Sequence, residues 1–148
     1  MKQPFAIWDN RYSIGIKIVD DQHKELFSIA NDLYDACQGA NAVTTEHFKA
    51  VLQKAINYVG LHFSTEERIM KKTNDPEFEI HQAEHDRFVK KVMEEAASLN
   101  HGDEDAPELF MTFLRNWISD HVTGTDIKIG QHVEDLRKKG LLKEDMIL

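Results

Sequence analysis

Apolar residues recur at spacings of three and four along four stretches of the chain, and each stretch reads as one face of an amphipathic helix. The first helix is expected to begin at Asp20, a favourable N-cap with Asp21 behind it. Its stripe is Leu26, Phe27, Ala30, Leu33, Tyr34 and Cys37, with His23 in register. A loop at Gln38–Val43, with Gly39 and Asn41, leads to a second helix capped by Thr44 or Thr45. There the stripe runs Phe48, Val51, Leu52, Ala55, Val59, His62, Phe63, Glu66 and then Ile69 or Met70. Asn74-Asp75-Pro76 ends this helix and starts a third, with Asp75 as N-cap and Pro76 in the first turn. Phe78, His81, His85, Phe88, Val92, Met93, Ala96 and Leu99 line the third helix. The polar linker HGDEDAP follows, and Pro107 opens a fourth helix carrying Phe110, Phe113, Leu114, Trp117, Ile118 and His121. Short connections between four such helices predict an all-α, up-down-up-down four-helix bundle.

Both ends are less regular. Residues 1–19 carry Phe5, Trp8, Tyr12, Ile14, Ile16, Ile18 and Val19 with little helical period, and are expected to form an aromatic arm packed over a bundle end. The tail Lys128–Leu148 is mixed and is interrupted by Gly140, so its order stays open.

Composition narrows the class. A chain of 148 residues fits one domain, spanning residues 1–148, and is long enough to bury a core. The formal net charge of −8 argues against nucleic acid as a partner, because no basic patch replaces counterions. A single cysteine, Cys37, precludes an internal disulfide and suggests a reducing compartment; it is expected to fill core space rather than react. No apolar run reaches the roughly 20 residues of a membrane span. The N-terminus lacks the apolar core of a signal peptide, and a cytoplasmic protein is expected.

Candidate chemistry comes from the polar residues that interrupt the stripes. His62 and Glu66 lie four apart, as do His81 and His85, so each pair shares a helix face one turn apart. His23, His62, His81, His85 and His121 all occupy core positions; His47, His101 and His132 fall off the stripes and are expected at the surface. One histidine on an apolar face is ordinarily a hydrogen-bonded core residue. Five in one interior without a metal would leave many donors and acceptors unmatched. Glu66 at a core position is costly unless it is paired or bound to a metal. Asp126 lies five residues after His121, roughly 140° around a regular helix. A π-type turn at Gly124 would bring the two together, and such turns recur at functional sites. Five imidazoles and two carboxylates exceed what one ion takes, and shared between two ions they make a dinuclear site with carboxylate bridges. Imidazole suits iron, copper, nickel or zinc and is too nitrogen-rich for magnesium or calcium.

Four motifs now stand together: IVDDQH ending at His23, HFSTEE from His62, HQAEH from His81 and HVTGTD from His121. In order and spacing they resemble the hemerythrins, specifically the bacterial ones, and the resemblance extends to the aromatic N-terminal arm. It implies a non-haem di-iron centre with an oxo or hydroxo bridge. His81, His85 and His121 would hold one iron, and His23 and His62 the second, with Glu66 and Asp126 bridging both. The second iron would keep an open position, at which this family binds dioxygen reversibly. Phe63, Trp117, Ile118 and Val122 resemble the residues of the family's oxygen pocket.

Two ferrous ions, two carboxylates and one hydroxide leave a small net positive charge. Neutral ligands in an apolar pocket disfavour deep oxidation, which fits a carrier better than an oxidase. The expected function is therefore oxygen storage or delivery by a non-enzymatic monomer, with dioxygen and an oxygen-consuming client enzyme as partners. The competing classes are a di-iron oxidase, peroxidase or nitric oxide-handling enzyme, a sensor, and a plain structural bundle. Asp20, Glu84 or Asp120 are candidates to accept a hydrogen bond from the far nitrogen of a metal-bound histidine, whereas Glu67 is expected at a solvated rim.

Overall fold

The computed structural model describes residues 5–39, 41–102 and 104–147. Met1–Pro4 of the arm, Ala40 of the first loop, Asp103 of the linker and Leu148 lie outside them. Among the described residues, four helical rods form the bundle: α1 (Lys17–Ala36), α2 (Glu46–Lys72), α3 (Phe78–Asn100) and a bipartite fourth. The fourth rod is α4 (Ala106–Asp120), a π-turn (His121–Thr125) and α5 (Ile127–Lys138). No strand occurs among the described residues, and the fold is an all-α four-helix bundle. None of the described helices is long and apolar enough to cross a membrane.

The helix boundaries follow local chemistry that hydrophobic period does not report. The first helix starts at Lys17, three residues before the expected Asp20. Asp20 caps nothing at its own helix end. It reaches back to the arm, where its carboxylate accepts from the Ser13 hydroxyl at 2.6 Å and the Ile14 N–H at 2.7 Å. Thr45 does cap α2, its hydroxyl oxygen accepting from the Phe48 N–H at 3.0 Å. At the other end of α2, Asn74 adopts a left-handed φ of 53°. The Asn74 N–H then bonds to the Lys71 carbonyl and the Asp75 N–H to the Met70 carbonyl, a Schellman closure. Asp75 accepts from the Glu77 N–H at 2.9 Å, so Asp75-Pro76 forms a turn ahead of α3 rather than its first turn. This tight junction sets the His62/Glu66 helix beside the His81/His85 helix.

Two apolar clusters bracket the middle of the bundle. One gathers Phe27, Phe48, Phe63, Phe88, Phe110 and Leu114, among others. The other gathers Ile14, Ile16, Val19, Ile69, Met70, Ile129 and Val133. Along α1, α2 and the fourth rod, the chain passes from one set to the other across His23, Glu66 and Asp126, with His62 and His121 one residue before Phe63 and Val122 of the first set. The buried histidines and carboxylates form a polar layer sealed above and below by hydrocarbon.

The arm departs in part from its expected place. Ile14, Ile16 and Val19, the last already inside α1, pack at a bundle end with the second cluster. The aromatic part lies along the flank of α1. Phe5 stacks on Tyr34 at 4.8 Å, while Trp8 and Tyr12 pack on Phe27 at 5.7 and 6.0 Å. Asn31 fixes it by hydrogen-bonding both backbone groups of Ala6. The arm passes so close to α5 that a Cβ on Gly130 would collide with the Ile14 carbonyl. The tail is ordered through α5, and Leu142 and Ile147 pack against the second cluster. Two expectations fail at the side-chain level. Met93, expected to line the core, is 57% exposed. His132, expected at the surface, is half-buried and bonds through Nε2 to the Thr73 carbonyl at 2.8 Å, tying α5 to the end of α2.

Candidate metal centre

Each rod contributes to the polar layer: His23 from α1, His62 and Glu66 from α2, His81 and His85 from α3. His121 comes from the start of the π-turn and Asp126 from just after it. All seven are buried. The π-turn is what makes the last pair possible. The Asp126 N–H bonds to the His121 carbonyl at 2.9 Å, an i→i+5 closure that replaces the regular i→i+4 ladder. Their side chains then meet, with His121 Nε2 2.9 Å from Asp126 Oδ1. The Thr123 hydroxyl donates to the Ser119 carbonyl beside this turn.

The seven side chains divide into two overlapping groups that could each hold an ion. One is Glu66, His81, His85, His121 and Asp126; the other is His23, His62, Glu66 and Asp126. Glu66 and Asp126 belong to both. Asp126 presents Oδ2 to His23 Nε2 at 2.8 Å and to His62 Nε2 at 3.9 Å. Its Oδ1 faces His81 Nε2 at 3.0 Å and His121 Nε2 at 2.9 Å. Glu66 lies 2.5 Å from His62 Nε2 through Oε1, and 3.5 Å from His81 Nε2 through Oε2.

Three observations fit this set to cations. Glu66 and Asp126 are 0% exposed, and no lysine or arginine pairs with either among the described residues, so two negative charges face only imidazoles. Burying carboxylates in this way is costly without a cation. Next, His62 Nε2, His81 Nε2, Asp126 Oδ1 and both Glu66 oxygens have no hydrogen-bond partner among the described residues, although all are buried. Finally, His85 Nε2 and His121 Nε2 face each other at 3.2 Å. The Nδ1 atoms of the same rings face carboxylates, Glu67 at 3.0 Å and Glu84 at 3.4 Å. Carboxylates call for N–H groups at Nδ1, which leaves two Nε2 lone pairs opposed. A metal ion coordinated by both would resolve that conflict.

The protonation tendencies carry the same mark. Burial alone would push His62 and His81 down, but Glu66 and Asp126 outweigh it and lift them to about 9 and about 10. Burial would raise Asp126, yet the imidazoles of His121, His23, His62 and His81 beside it hold it well below the usual carboxylate range. Burial, and then the neighbouring His81 and His121, push His85 down to about 2. Without a metal, the two carboxylates draw protons onto nitrogens that also point at the centre.

Phe63 stacks on the His85 ring at 3.7 Å and lies 6.0 Å from that of His62. Trp117 stacks on His121 at 4.4 Å and on Phe88 at 3.8 Å, which sets it on the three-histidine side. Phe63, Ile118 and Val122 are buried in the first apolar cluster, and Trp117 is half-buried against it. Of the candidate outer partners only Glu84 reaches a site histidine. Asp20 is engaged with the arm, and Asp120 is exposed. Two partners were not foreseeable from hydrophobic period. Glu67, expected at a solvated rim, accepts from His85 and is only 24% exposed on its side chain. Gln22, buried on α1, accepts from His62 Nδ1 at 2.9 Å. The available signal for Gln22 was its place next to His23, on a helix already carrying one buried polar residue.

The chain is similar to known proteins of one family. The family model described as the Hemerythrin HHE cation binding domain matches residues 14–132. Among curated relatives, the Bacteriohemerythrin of Methylococcus capsulatus is 29% identical over 115 residues, covering 78% of this chain and 86% of that protein. That of Stenotrophomonas maltophilia is 28% identical over 120 residues, covering 81% and 76%. The Hemerythrin-like protein of Naegleria gruberi is 26% identical over 121 residues, covering 82% and 87%. Among solved structures, a wild-type hemerythrin superposes with a TM-score of 0.73 at 28% identity, covering 84% of this chain and 95% of that one. A tyrosine-for-leucine hemerythrin mutant gives 0.76 at 27% identity, covering 87% and 97%.

Proposed function

Because the chain belongs to the hemerythrin family, we propose that it binds dioxygen reversibly at a non-haem pair of irons, storing it or delivering it to an oxygen-requiring enzyme. His81, His85 and His121 would hold one iron, His23 and His62 the other, and Glu66 and Asp126 both. Ferrous ions held there would supply the two electrons that reversible oxygen binding requires. Everything else is the protein's contribution. The paired carboxylates neutralise part of the ionic charge, and the five imidazoles add none. Phe63, Ile118 and Val122 close one side of the layer with hydrocarbon and keep bulk water away.

One observation carries this reading: two fully buried carboxylates, without a basic partner among the described residues, face five buried imidazoles. Two carboxylates rather than four, beside an apolar wall, favour a carrier over a di-iron oxidase. We infer a monomer acting in the cytoplasm. The test is to reduce the iron-loaded protein anaerobically, admit air, and remove the oxygen again while recording the visible spectrum and the iron content. The account predicts a visible band that appears and disappears over repeated cycles, with both irons retained. Rapid one-way bleaching, or sustained oxygen consumption with added reductant, would show an oxidase instead.

A further inference from the structure

The hydrogen bonds outside the seven side chains are not alike at the two ends of the cluster. At the three-histidine end, the His85 Nδ1 and His121 Nδ1 atoms face carboxylates, Glu67 at 3.0 Å and Glu84 at 3.4 Å. At the two-histidine end, His62 Nδ1 meets the neutral amide of Gln22 at 2.9 Å, and His23 Nδ1 has no partner among the described residues.

The direction of the Gln22 contact is fixed by a chain of bonds. The Thr65 hydroxyl donates to the Leu61 carbonyl at 3.1 Å, as a threonine one turn along a helix does. With its proton spent there, the Thr65 oxygen accepts from the Gln22 amide nitrogen at 3.0 Å. The amide oxygen of Gln22 therefore faces His62, and His62 must donate from Nδ1. That choice leaves the His62 Nε2 lone pair aimed into the cluster. Gln22 is buried, so water does not compete for this arrangement.

A carboxylate that accepts from a metal-bound imidazole makes that imidazole a stronger donor, and a neutral amide does so much less. We propose that Gln22 is a positioning residue. It fixes the His62 tautomer and, being uncharged, keeps the His23–His62 end the weaker of two unequal metal sites. The ion at His81, His85 and His121 is then bound first and held hardest. The ion at His23 and His62 follows and is the more electron-poor of the two. This rests on the proposed di-iron reading only in taking the cluster to hold two ions. It needs no oxygen chemistry.

Anaerobic calorimetric titration of the metal-free protein with Fe²⁺ tests it. Wild type should show two steps. Gln22→Glu supplies a carboxylate of the same shape and should tighten the second step by about tenfold while leaving the first in place. Glu67→Gln should weaken the first step by about ten- to a hundredfold. A merely structural role for Gln22 would loosen binding in Gln22→Glu, not tighten it. Equal steps in wild type, or a Gln22→Glu variant with an unchanged or weakened second step, would overturn the proposal. Should circular dichroism show Gln22→Glu unfolded, Glu67→Gln decides: loss at the second step instead of the first overturns it. If two unequal ions bind but oxygen does not bind reversibly, this inference stands and the carrier reading falls. Reversible oxygen binding with two equal metal sites would overturn this inference and leave the carrier reading intact.

Discussion

Asp126 presents one carboxylate oxygen to each group of histidines, and it has no basic side chain to lean on among the described residues. Asp126→Asn keeps the shape and removes the charge, so iron content should fall below half of the wild-type value by metal analysis of the purified protein. Glu66→Gln should do the same, whereas Glu67→Gln should retain both irons at saturating metal because Glu67 acts only through His85. The raised histidines set a pH response. His62 and His81 move from 6.5 to about 9 and about 10, so their protonated forms stabilise the metal-free fold. That contribution is complete below 6.5 and is lost as pH climbs through the folded values. His85 moves the other way, to about 2, so its contribution is present above 6.5 and lost as pH falls below it. Urea midpoints of the metal-free protein should therefore decline on both sides of neutrality, including a fall between pH 9 and 10 that iron loading abolishes. A flat profile across that alkaline window would contradict the assignment. At this scale the sequence was legible where a polar residue broke an apolar stripe, as at His23, His62 and Glu66. It was silent where a residue acts through another, as Gln22 and Glu67 do, because such contacts depend on which helix lies opposite.

Among the elements, the π-turn was foreseeable because His121 and Asp126 cannot share a face on a regular helix, and the structure closes that turn from His121 to Thr125. Helix starts were harder to read. Asp20 and Asp75 both have cap chemistry, but the arm claims the first and a preceding turn the second. The arm's course along α1 was equally hidden, since its aromatic residues fit several surfaces equally well. The fourth rod offers a paired test of how tightly it is held. A Cβ on Gly124 would meet nothing, whereas one on Gly130 would strike the Ile14 carbonyl. Gly124→Ala should be neutral or stabilising by up to about 1 kcal/mol. Gly130→Ala should destabilise by about 1–3 kcal/mol, because the arm or α5 must shift to admit it. Urea denaturation of both variants with metal bound measures the difference, and equal midpoints would mean that the arm does not lie where the structure puts it.

Across the whole molecule, the bundle arranges a charged layer between two hydrocarbon clusters, and a bound metal is expected to stabilise that layer. Ions that bind only the folded chain stabilise it by an amount that grows with the logarithm of their concentration over Kd, about 2.7 kcal/mol at a hundredfold excess. Chelation should accordingly lower the melting temperature, and readdition of Fe²⁺ should restore it. A melting temperature indifferent to chelation would separate the cluster from folding. The four-helix plan was the most legible feature of all, since period and punctuation repeat along the chain. Which rods lie side by side follows from the short junction after α2, from the two apolar clusters and from the polar residues the rods share. The central claim is that all four rods converge on two ions, and anomalous diffraction from crystals of the iron-loaded protein at the iron edge tests it most directly. The account predicts two iron peaks that share Glu66 and Asp126, one beside His23 and His62 and the other beside His81, His85 and His121. A single peak, or iron bound away from these seven side chains, would contradict it.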